Sequence, residues 1–246
     1  MNLKEAVGKL GLDSWLFDLD DTLIPTNWAF VQQMRAYAQF VTETVGSVEQ
    51  DWVWNRLTAI NNQVYHERSV NPQRWEIVID RLAEECGRPG EELLRGMHIL
   101  MDIYNVRSVF SEGAEEVLKQ FKNDGIPMGI VTHANEEWTW RKVEWLGLTR
   151  YVDQKSIYIV SEDRHKGPED WSGAISRLGF EAKRTGVTGD SLPGDIIASH
   201  RAGVTRKFYI PSPWSVYNQG EIPKGTEVLG NVSGLIPAIF RLASGS

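Results

Sequence analysis

The chain has 246 residues, 41% hydrophobic and 24% charged, which is enough to bury one sizeable core and a smaller second one. It has no apolar run of about 18 residues or more, which excludes an ordinary membrane-spanning helix. Its 33 acidic and 26 basic residues give a net charge of −7 without any lysine and arginine cluster, which argues against a nucleic-acid-binding surface.

The beginning of the chain and its cysteine content predict a cytoplasmic protein. Residues 1–11 carry Lys4, Glu5 and Lys9 and lack the continuous apolar block of a secretory signal peptide. The single cysteine, Cys86, has no partner for an internal disulfide or for a thiolate metal site. Both features agree with a reducing compartment.

The first predicted strand is the run of large residues from Ser14 to Phe17, which ends at Asp18. A short apolar run that leads into acidic residues is typical of a buried parallel strand that opens into a site. The hydrophobic pattern changes directly after it, so a different kind of structure is expected to follow.

A helical segment is predicted from residue 25 to residue 106, and we call it the helical insert. Its apolar residues recur at helical spacing and show no strand alternation. Ser47 with Gln50 resembles a capping box, and Asn71 with Pro72 predicts another helix start. The pattern indicates four helices, which run from Thr26 to Gly46, from Ser47 through Ile60, from Asn71 to Cys86 and from Glu91 to Tyr104.

From Ser111 onward, helices and strands alternate in the predicted order. This alternation is typical of a parallel sheet with helices on both faces. The strands are predicted at 127–132, 157–160, 186–189 and 207–210, and the helices at 112–122, 135–146, 170–178, 196–202 and 234–242.

The sequence therefore predicts an α/β fold: a Rossmann-like, doubly wound parallel sheet with an inserted all-helical cap domain. The expected domains are residues 1–24 with 107–246 for the α/β core, and residues 25–106 for the cap. Insertion after the first strand is physically sensible, because loops at the carboxyl ends of parallel strands border the ligand crevice and can carry a lid.

Polar residues follow four of the predicted strands. Carboxyl ends of parallel strands lie at one edge of the sheet, so residues far apart in the sequence can meet there in one pocket. In chain order these residues are Asp18, Asp20 and Thr22, then Thr132, then Lys166, then Asp190, Ser191 and Asp195.

The residue types at this edge predict a metal site and a phosphoryl-transfer site. Converging carboxylates repel one another unless a cation lies between them, and oxygen ligands without histidine or cysteine suit Mg²⁺ better than zinc. Lys166 and Thr132 could hold the oxygens of an anionic substrate. Asp18 and Asp20 face the same side of an extended segment, as a carboxylate nucleophile and an acid/base partner would.

Four short motifs resemble those of the haloacid dehalogenase (HAD) superfamily, in that family's order and spacing. They are Phe-Asp-Leu-Asp-Asp-Thr at 17–22, Ile-Val-Thr at 130–132, His-Lys-Gly-Pro at 165–168 and Gly-Asp-Ser-Leu-Pro-Gly-Asp at 189–195. The helical insert resembles the C1 helical cap of the same family. The first and fourth motifs are specific together, whereas the second and third are short.

The resemblance implies roles for the acidic residues. Asp18 would be the nucleophile and a metal ligand, and Asp20 the general acid and base, with its backbone carbonyl on the metal. Asp190 would complete the Mg²⁺ site. Asp195 would support that site or position the lysine of the third motif.

The resemblance also implies that Thr132 and Lys166 bind the transferring phosphoryl group. Two departures affect this part of the pattern: Gly167 separates Lys166 from the proline that commonly follows it, and His133 stands where asparagine is common. The first departure leaves two other lysines open as alternatives, Lys155 and Lys183.

The predicted function is a Mg²⁺-dependent phosphatase that hydrolyses a small phosphomonoester through an aspartyl-phosphate intermediate. A phosphomutase of the β-phosphoglucomutase type would use the same residues, and a non-catalytic phosphate-binding regulatory protein is a further alternative. A dehalogenase would not need Asp20 or a metal. A response-regulator receiver would carry its phosphoacceptor on a middle strand, after the acidic pair.

The predicted partner is a small phosphorylated metabolite, with no nucleic acid and no membrane. Residues of the helical insert would contact the part of the substrate beyond its phosphate. The candidates for these contacts are Trp28, Arg35, Arg68 and Arg74.

Overall fold

The computed structural model describes residues 1–245, and its centre is a six-stranded sheet in which every neighbouring pair is parallel. The strand order is β3-β2-β1-β4-β5-β6. The strands are β1 (Ser14–Phe17), β2 (Met128–His133), β3 (Ile157–Val160), β4 (Thr185–Gly189), β5 (Arg206–Tyr209) and β6 (Thr226–Val228).

The helices divide into those that cover the sheet and those of the insert between β1 and β2. No helix within residues 1–245 is both long and apolar enough to cross a membrane. The helices are α1 (Leu3–Lys9), α2 (Asn27–Val45), α3 (Gln50–Arg68), α4 (Arg74–Cys86), α5 (Gly90–Leu94), α6 (Met97–Met101), α7 (Ala114–Asn123), α8 (Glu136–Leu146), α9 (Pro168–Arg177), α10 (Ala198–Arg201) and α11 (Leu235–Ala243).

Helices pack on both faces of the sheet, which confirms the predicted doubly wound fold. Trp15 and Phe17 of β1 lie in one buried cluster with Phe121 of α7, whereas Leu16 lies in another with Trp171 of α9. Successive side chains of a strand point to opposite faces, so a strand covered on both sides needs apolar residues at every position. The unbroken apolar run of β1 has this cause.

The helical insert has a hydrophobic core of its own, which includes Tyr37, Leu57 and Trp75. Ala134 and Trp138, which lie just beyond β2 and on α8, join the same cluster. These two residues therefore attach the insert to the edge of the sheet where β1 and β2 end.

The predicted fourth helix of the insert is broken in the structure. Helices α5 and α6 and a 3₁₀ turn, Asp102–Asn105, replace the continuous helix expected over 91–104. Gly96 lies between α5 and α6, and a Cβ atom at this position would overlap the ring of Phe40. The close approach of the two segments requires glycine there, and the hydrophobic pattern alone did not reveal this requirement.

Two predicted helix starts were wrong, and two elements were not predicted. Helix α3 begins without a side-chain cap, so Ser47 and Gln50 form no capping box, and α4 begins at Arg74 after a turn that contains Asn71. Helix α1 is short, although Asn2 and Glu5 do form a capping box. Strand β6 has only three residues at the sheet edge, too few for a recognisable alternation.

Candidate active site

A cavity of about 290 Å³ lies between the carboxyl edge of the sheet and the helical insert. One wall, which we call the sheet wall, carries acidic residues and a lysine, and the other, the cap wall, carries mainly aromatic residues. The sheet wall includes Asp18, Asp20, Asp21, Lys166, Asp190 and Asp195, and the cap wall includes Phe30, Asn61, Tyr65, Arg74 and Tyr104.

Lys166 joins two of the predicted acidic residues. Its Nζ atom lies 2.6 Å from Asp18 Oδ1 and 2.5 Å from Asp195 Oδ1, and it donates a hydrogen bond to the carbonyl oxygen of Val131. The other carboxylate oxygen of Asp195 accepts a hydrogen bond from the backbone N–H of Ser191. Asp195 therefore contacts Lys166 directly, and both roles that the sequence resemblance left open for it stay predictions.

The two alternative lysines lie elsewhere. Lys155 is exposed and pairs with Asp153, and Lys183 is exposed in the 3₁₀ turn before β4. Gly167, the residue that departs from the common motif, is the N-cap of α9, so α9 starts one residue after it. Lys166 reaches the carboxylates in spite of this extra residue.

Burial is the largest influence on the pKa values of Asp18 and Asp190, which form an acidic cluster with Asp195. It raises the pKa of the Asp18 carboxyl to about 7, with Lys166 opposing the shift and Asp195 adding to it. Burial, followed by the charges of Asp18 and Asp195, also raises the pKa of Asp190 well above its usual range. Burial lowers the pKa of Lys166, but the two carboxylates beside it outweigh this effect and hold the pKa above its ordinary value.

The acidic cluster fits a divalent cation. Asp18, Asp190 and Asp195 are all buried, and each offers a carboxylate oxygen such that these atoms lie within 4.8 Å of one another. A single lysine does not balance three carboxylates, and a cation among them would offset both the burial and the repulsion that raise the pKa values of Asp18 and Asp190. A set of hard oxygen ligands matches the preference of Mg²⁺.

The side chain of Asp20 lies outside this group and pairs with Lys142 of α8. Both carboxylate oxygens lie 2.6 Å from Lys142 Nζ, and that ammonium also lies 3.6 Å from the ring centre of Trp138. Lys142 is completely buried. Burial lowers its pKa, and the charge of Asp20 offsets part of that shift. Lys142 therefore fixes the direction of the Asp20 side chain.

Asp21 shapes the turn that leads from the sheet into the insert. Its Oδ1 atom accepts hydrogen bonds from the backbone N–H groups of Thr26 and Asn27, each 2.8 Å long, at the start of α2. Its φ angle of 56° lies in the left-handed region, which aspartate tolerates better than most residues. Burial raises the pKa of Asp21 to about 6. Asp21 is thus a helix-capping residue beside the site.

Thr132 is fully buried, and its hydroxyl has no hydrogen-bond partner within the described part of the chain. It does not line the cavity, whereas the three residues that follow it do. Asn135 caps α8 by accepting a hydrogen bond from the N–H of Trp138. The phosphate-binding role of Thr132 stays a prediction from its motif.

His133 connects the sheet to the insert. Its Nε2 atom lies 2.8 Å from Ser69 Oγ, and Ser69 in turn donates to the carbonyl oxygen of Arg164, two residues before Lys166. Burial lowers the pKa of His133 to about 3, and the charges of Lys166 and His165 act in the same direction. The histidine is therefore neutral near neutral pH.

Sequence reasoning missed Lys142 and a loop that completes the cavity. Trp138 and Lys142 are four residues apart and so share a face of α8, which places a lysine on the buried side of that helix and could have drawn attention to it. Trp214 and Tyr217 also line the cavity, from the loop after β5. That loop has no hydrophobic period from which its position could have been predicted.

The sequence matches the family model for haloacid dehalogenase-like hydrolases over residues 15–208. The chain therefore belongs to this family of hydrolases. The match begins in β1 and ends in β5, so it includes the four motifs and the helical insert.

Two curated relatives are phosphatases by name. Validoxylamine A 7′-phosphate phosphatase from Streptomyces hygroscopicus subsp. limoneus is 28% identical over 193 residues, which cover 77% of this chain and 81% of that protein. Glyceraldehyde 3-phosphate phosphatase from Methanopyrus kandleri is 24% identical over 196 residues, which cover 77% and 80%.

Solved structures of the family share the fold over nearly the whole chain. A haloacid dehalogenase-like hydrolase from Xanthomonas campestris superposes with a TM-score of 0.72 at 18% identity, covering 95% of this chain and 94% of that one. YfnB from Bacillus subtilis, named as an HAD hydrolase and bound to magnesium, gives 0.70 at 17% identity, covering 93% and 98%. At such identities the likeness concerns the fold alone.

Proposed function

We propose that the protein is a Mg²⁺-dependent phosphatase that hydrolyses a small phosphomonoester through an aspartyl-phosphate intermediate on Asp18. The observation that carries the proposal is the position of Asp18, which belongs to the buried carboxylate cluster and also contacts Lys166. Membership of the hydrolase family and the two phosphatase relatives support the reaction class.

Asp18 would attack phosphorus in the first half of the reaction. A bond forms between its carboxylate oxygen and phosphorus, the ester P–O bond breaks, and Asp20 gives a proton to the leaving oxygen. Lys166 would lie beside the phosphoryl oxygens and offset their negative charge. Asp195 keeps Lys166 in place during this step.

Water would complete the reaction in the second half. Asp20 takes a proton from the water as its oxygen attacks phosphorus, and inorganic phosphate leaves while the Asp18 carboxylate is regenerated. Lys142 holds the Asp20 side chain for both proton transfers.

Asp18, Asp190 and Asp195 form the group of carboxylates to which Mg²⁺ would bind, together with the backbone carbonyl of Asp20 that the family resemblance implies. When bound, the ion would withdraw charge from the phosphoryl oxygens and stabilise the transition state.

The cavity supports a small substrate. Its volume of about 290 Å³ is at the lower end of the range for small-molecule sites. The helical insert covers the sheet edge and would exclude bulk water, and its side chains would contact the part of the substrate that leaves.

The test is a phosphate-release assay with p-nitrophenyl phosphate and a panel of small phosphate esters. We expect release with Mg²⁺, no release with excess chelator, and recovery when Mg²⁺ is added back. Turnover that continues in excess chelator would overturn the metal role. A sugar-phosphate isomerisation assay primed with a sugar bisphosphate belongs in the same panel, because isomerisation without phosphate release would make the protein a mutase instead.

A further inference from the structure

One arginine of the cap wall is buried without an ionic partner. Arg74, the first residue of α4, is only 5% exposed and lines the cavity. Within residues 1–245 no carboxylate oxygen lies within 4.0 Å of its guanidinium. Lys142 and Lys166, the two buried lysines beside the site, both contact carboxylates.

The contacts that Arg74 does make leave most of its hydrogen-bonding capacity unused. Its Nε atom donates to Asn61 Oδ1 over 3.3 Å, and its guanidinium carbon lies 5.0 Å from the ring centre of Trp75 and 5.9 Å from that of Phe30. A guanidinium carries five N–H donors, and the described part of the chain offers a hydrogen-bond acceptor to only one of them.

A buried and unpaired cation is costly for a folded protein, because it loses hydration without gaining an opposite charge. Arginine residues are therefore rarely buried unless they are paired. The cost disappears when a ligand brings an anion to the guanidinium, whose flat fork matches the two oxygens of a carboxylate or a phosphate. Arg74 has the properties of such a binding group.

We propose that Arg74 binds a second anionic group of the substrate, a carboxylate or a second phosphate, while the phosphate ester lies against Asp18. This inference rests on the proposed phosphatase function and adds the substrate class: small phosphate esters that carry another negative charge. Arg74 and Asp18 lie on different walls of the same cavity, so one small molecule can contact both. The aromatic rings of Tyr65 and Tyr104 line the cavity with them and suit a short carbon skeleton between the two anionic ends.

A purely structural role predicts something different. If Arg74 served only to stack on Trp75 and Phe30, its loss would lower the stability of the insert without changing which substrates are preferred. The experiment therefore has to vary the charge on the part of the substrate beyond its phosphate, which we call the tail.

The first experiment compares kcat/KM for 3-phosphoglycerate and glycerol 3-phosphate, which differ mainly in a carboxylate against a hydroxymethyl group. We expect wild-type protein to prefer the carboxylate compound by about 10-fold or more. Arg74→Met should remove most of this preference, and Arg74→Lys, which keeps the charge but not the fork, should retain part of it. The matched control is Arg35→Met, which removes an exposed arginine that stacks on Trp54, 4.5 Å from its ring centre, outside the cavity.

The second experiment measures binding without turnover. Dissociation constants for 3-phosphonopropionate, for its carboxamide and for 1,2-ethylenediphosphonate are measured with Mg²⁺ present, by calorimetry, on wild-type protein and the same variants. The carboxylate and the diphosphonate should bind more tightly than the carboxamide to wild-type protein, and Arg74→Met should reduce the difference. If Arg74→Met does not fold, the wild-type comparison and Arg74→Lys carry the test.

The outcomes distinguish the role of Arg74 from the proposed phosphatase function. Hydrolysis of phosphate esters with no preference for the charged tail would overturn the role of Arg74 and leave the phosphatase proposal intact. A preference that persists in Arg74→Met would overturn that role as well. Failure to hydrolyse any ester with Mg²⁺ would overturn the proposed function, and this inference with it.

Discussion

The two walls of the cavity differ in whether their charged side chains are paired with opposite charges. On the sheet wall, carboxylate oxygens of three buried aspartates lie within 4.8 Å of one another, and Lys166 pairs with two of these aspartates. On the cap wall, Arg74 lies among aromatic rings, and the only polar partner that residues 1–245 offer it is an amide oxygen. The sheet wall carries the groups of the proposed reaction on one phosphate, whereas Arg74 on the cap wall has unused donors for the proposed second anionic group.

In the proposed function, the reaction belongs to the sheet wall and the selection of the substrate to the cap wall. The sheet wall is made by the ends of parallel strands, whose positions are fixed by backbone pairing. The cap wall is made by helices that pack through their own hydrophobic cluster. Changes on one wall should therefore alter turnover, and changes on the other should alter preference. The Arg74 variants described above test the cap wall, and four further substitutions test the sheet wall and its contacts with the insert.

Asp18→Asn should have the largest effect, because it removes the proposed nucleophile from the sheet wall. We expect kcat to fall by roughly 10³-fold or more while the protein stays folded and still binds 3-phosphonopropionate. Phosphate release, circular dichroism and calorimetry measure turnover, folding and binding, respectively. Asp13→Asn is the control, since Asp13 lies directly before β1 at the opposite sheet edge and pairs with Arg184. Activity above about a hundredth of wild type in Asp18→Asn would move the nucleophile to another residue.

Gly189→Ala should disturb the sheet wall without removing any charged group. A Cβ atom at Gly189 would lie 2.5 Å from the Cβ and Cγ atoms of Asp195, so that side chain has to move and Lys166 loses its support. We expect a fall in kcat of about 10²-fold and a loss of about 1–3 kcal/mol in the free energy of unfolding. Urea unfolding and phosphate release measure these effects.

Gly8→Ala serves as the control for that substitution. Gly8 lies within α1, and a Cβ atom there would meet nothing within 4 Å. It should leave activity unchanged and stabilise the protein slightly. If Gly189→Ala also leaves kcat unchanged, the position of Asp195 is unimportant for the reaction.

Lys142→Met changes a residue that lies between the sheet and the helical insert. Lys142 pairs with Asp20 of the sheet wall and lies over the ring of Trp138, which packs in the hydrophobic core of the insert. Without the ammonium the Asp20 side chain can rotate, so kcat should fall by about 10-fold with a smaller change in KM. Steady-state kinetics measure both. Arg141→Met, which changes the neighbouring residue on the outside of α8, is the matched control. Equal kinetics for the two variants would exclude a positioning role for Lys142.

His133→Gln should have the smallest effect, and only in acid. The pKa of His133 is about 3 in the folded protein against an ordinary value of 6.5, so the unfolded chain binds more protons between these values. The free energy of unfolding therefore falls as the pH drops from about 6.5 toward 3, and His133→Gln should make this fall shallower. Urea unfolding at several pH values measures the slope.

His98→Gln is the control for the pH experiment, because His98 is an exposed histidine of α6. A slope that is the same in His133→Gln and wild-type protein would contradict burial of a neutral histidine at the join between sheet and insert.

The sequence predicts the sheet wall much better than the cap wall. Buried parallel strands are unbroken apolar runs, so β1 to β5 can be recognised, and the polar residues at their ends are brought together by sheet geometry alone. Asp18, Lys166, Asp190 and Asp195 could be found in this way. Thr132 lies on the predicted strand but outside the cavity lining, so its phosphate-binding role stays a prediction.

The cap wall and the join between the walls depend on helix packing, which no local pattern specifies. The sequence gives no reason to prefer Arg74 over the other arginines of the insert as a substrate contact. In the structure Arg74 lines the cavity, whereas Arg35 lies outside it. Lys142 belongs to an amphipathic helix on which a lysine is ordinarily expected to face solvent. Asp21 could be interpreted as a helix cap from its residue type, and the structure shows that contact.

The position of β1 in the sheet also determines when, during synthesis, the three carboxylates of the site can come together. Of the six strands of the sheet, β1 comes first in the chain, yet it pairs directly with β4, so that Ser14 lies opposite Thr185. A nascent chain that stops short of β4 contains Asp18 but neither Asp190 nor Asp195. Because domains fold as units once their long-range pairings exist, the unfinished polypeptide lacks the assembled carboxylate cluster, and the proposed reaction requires translation of the fourth motif.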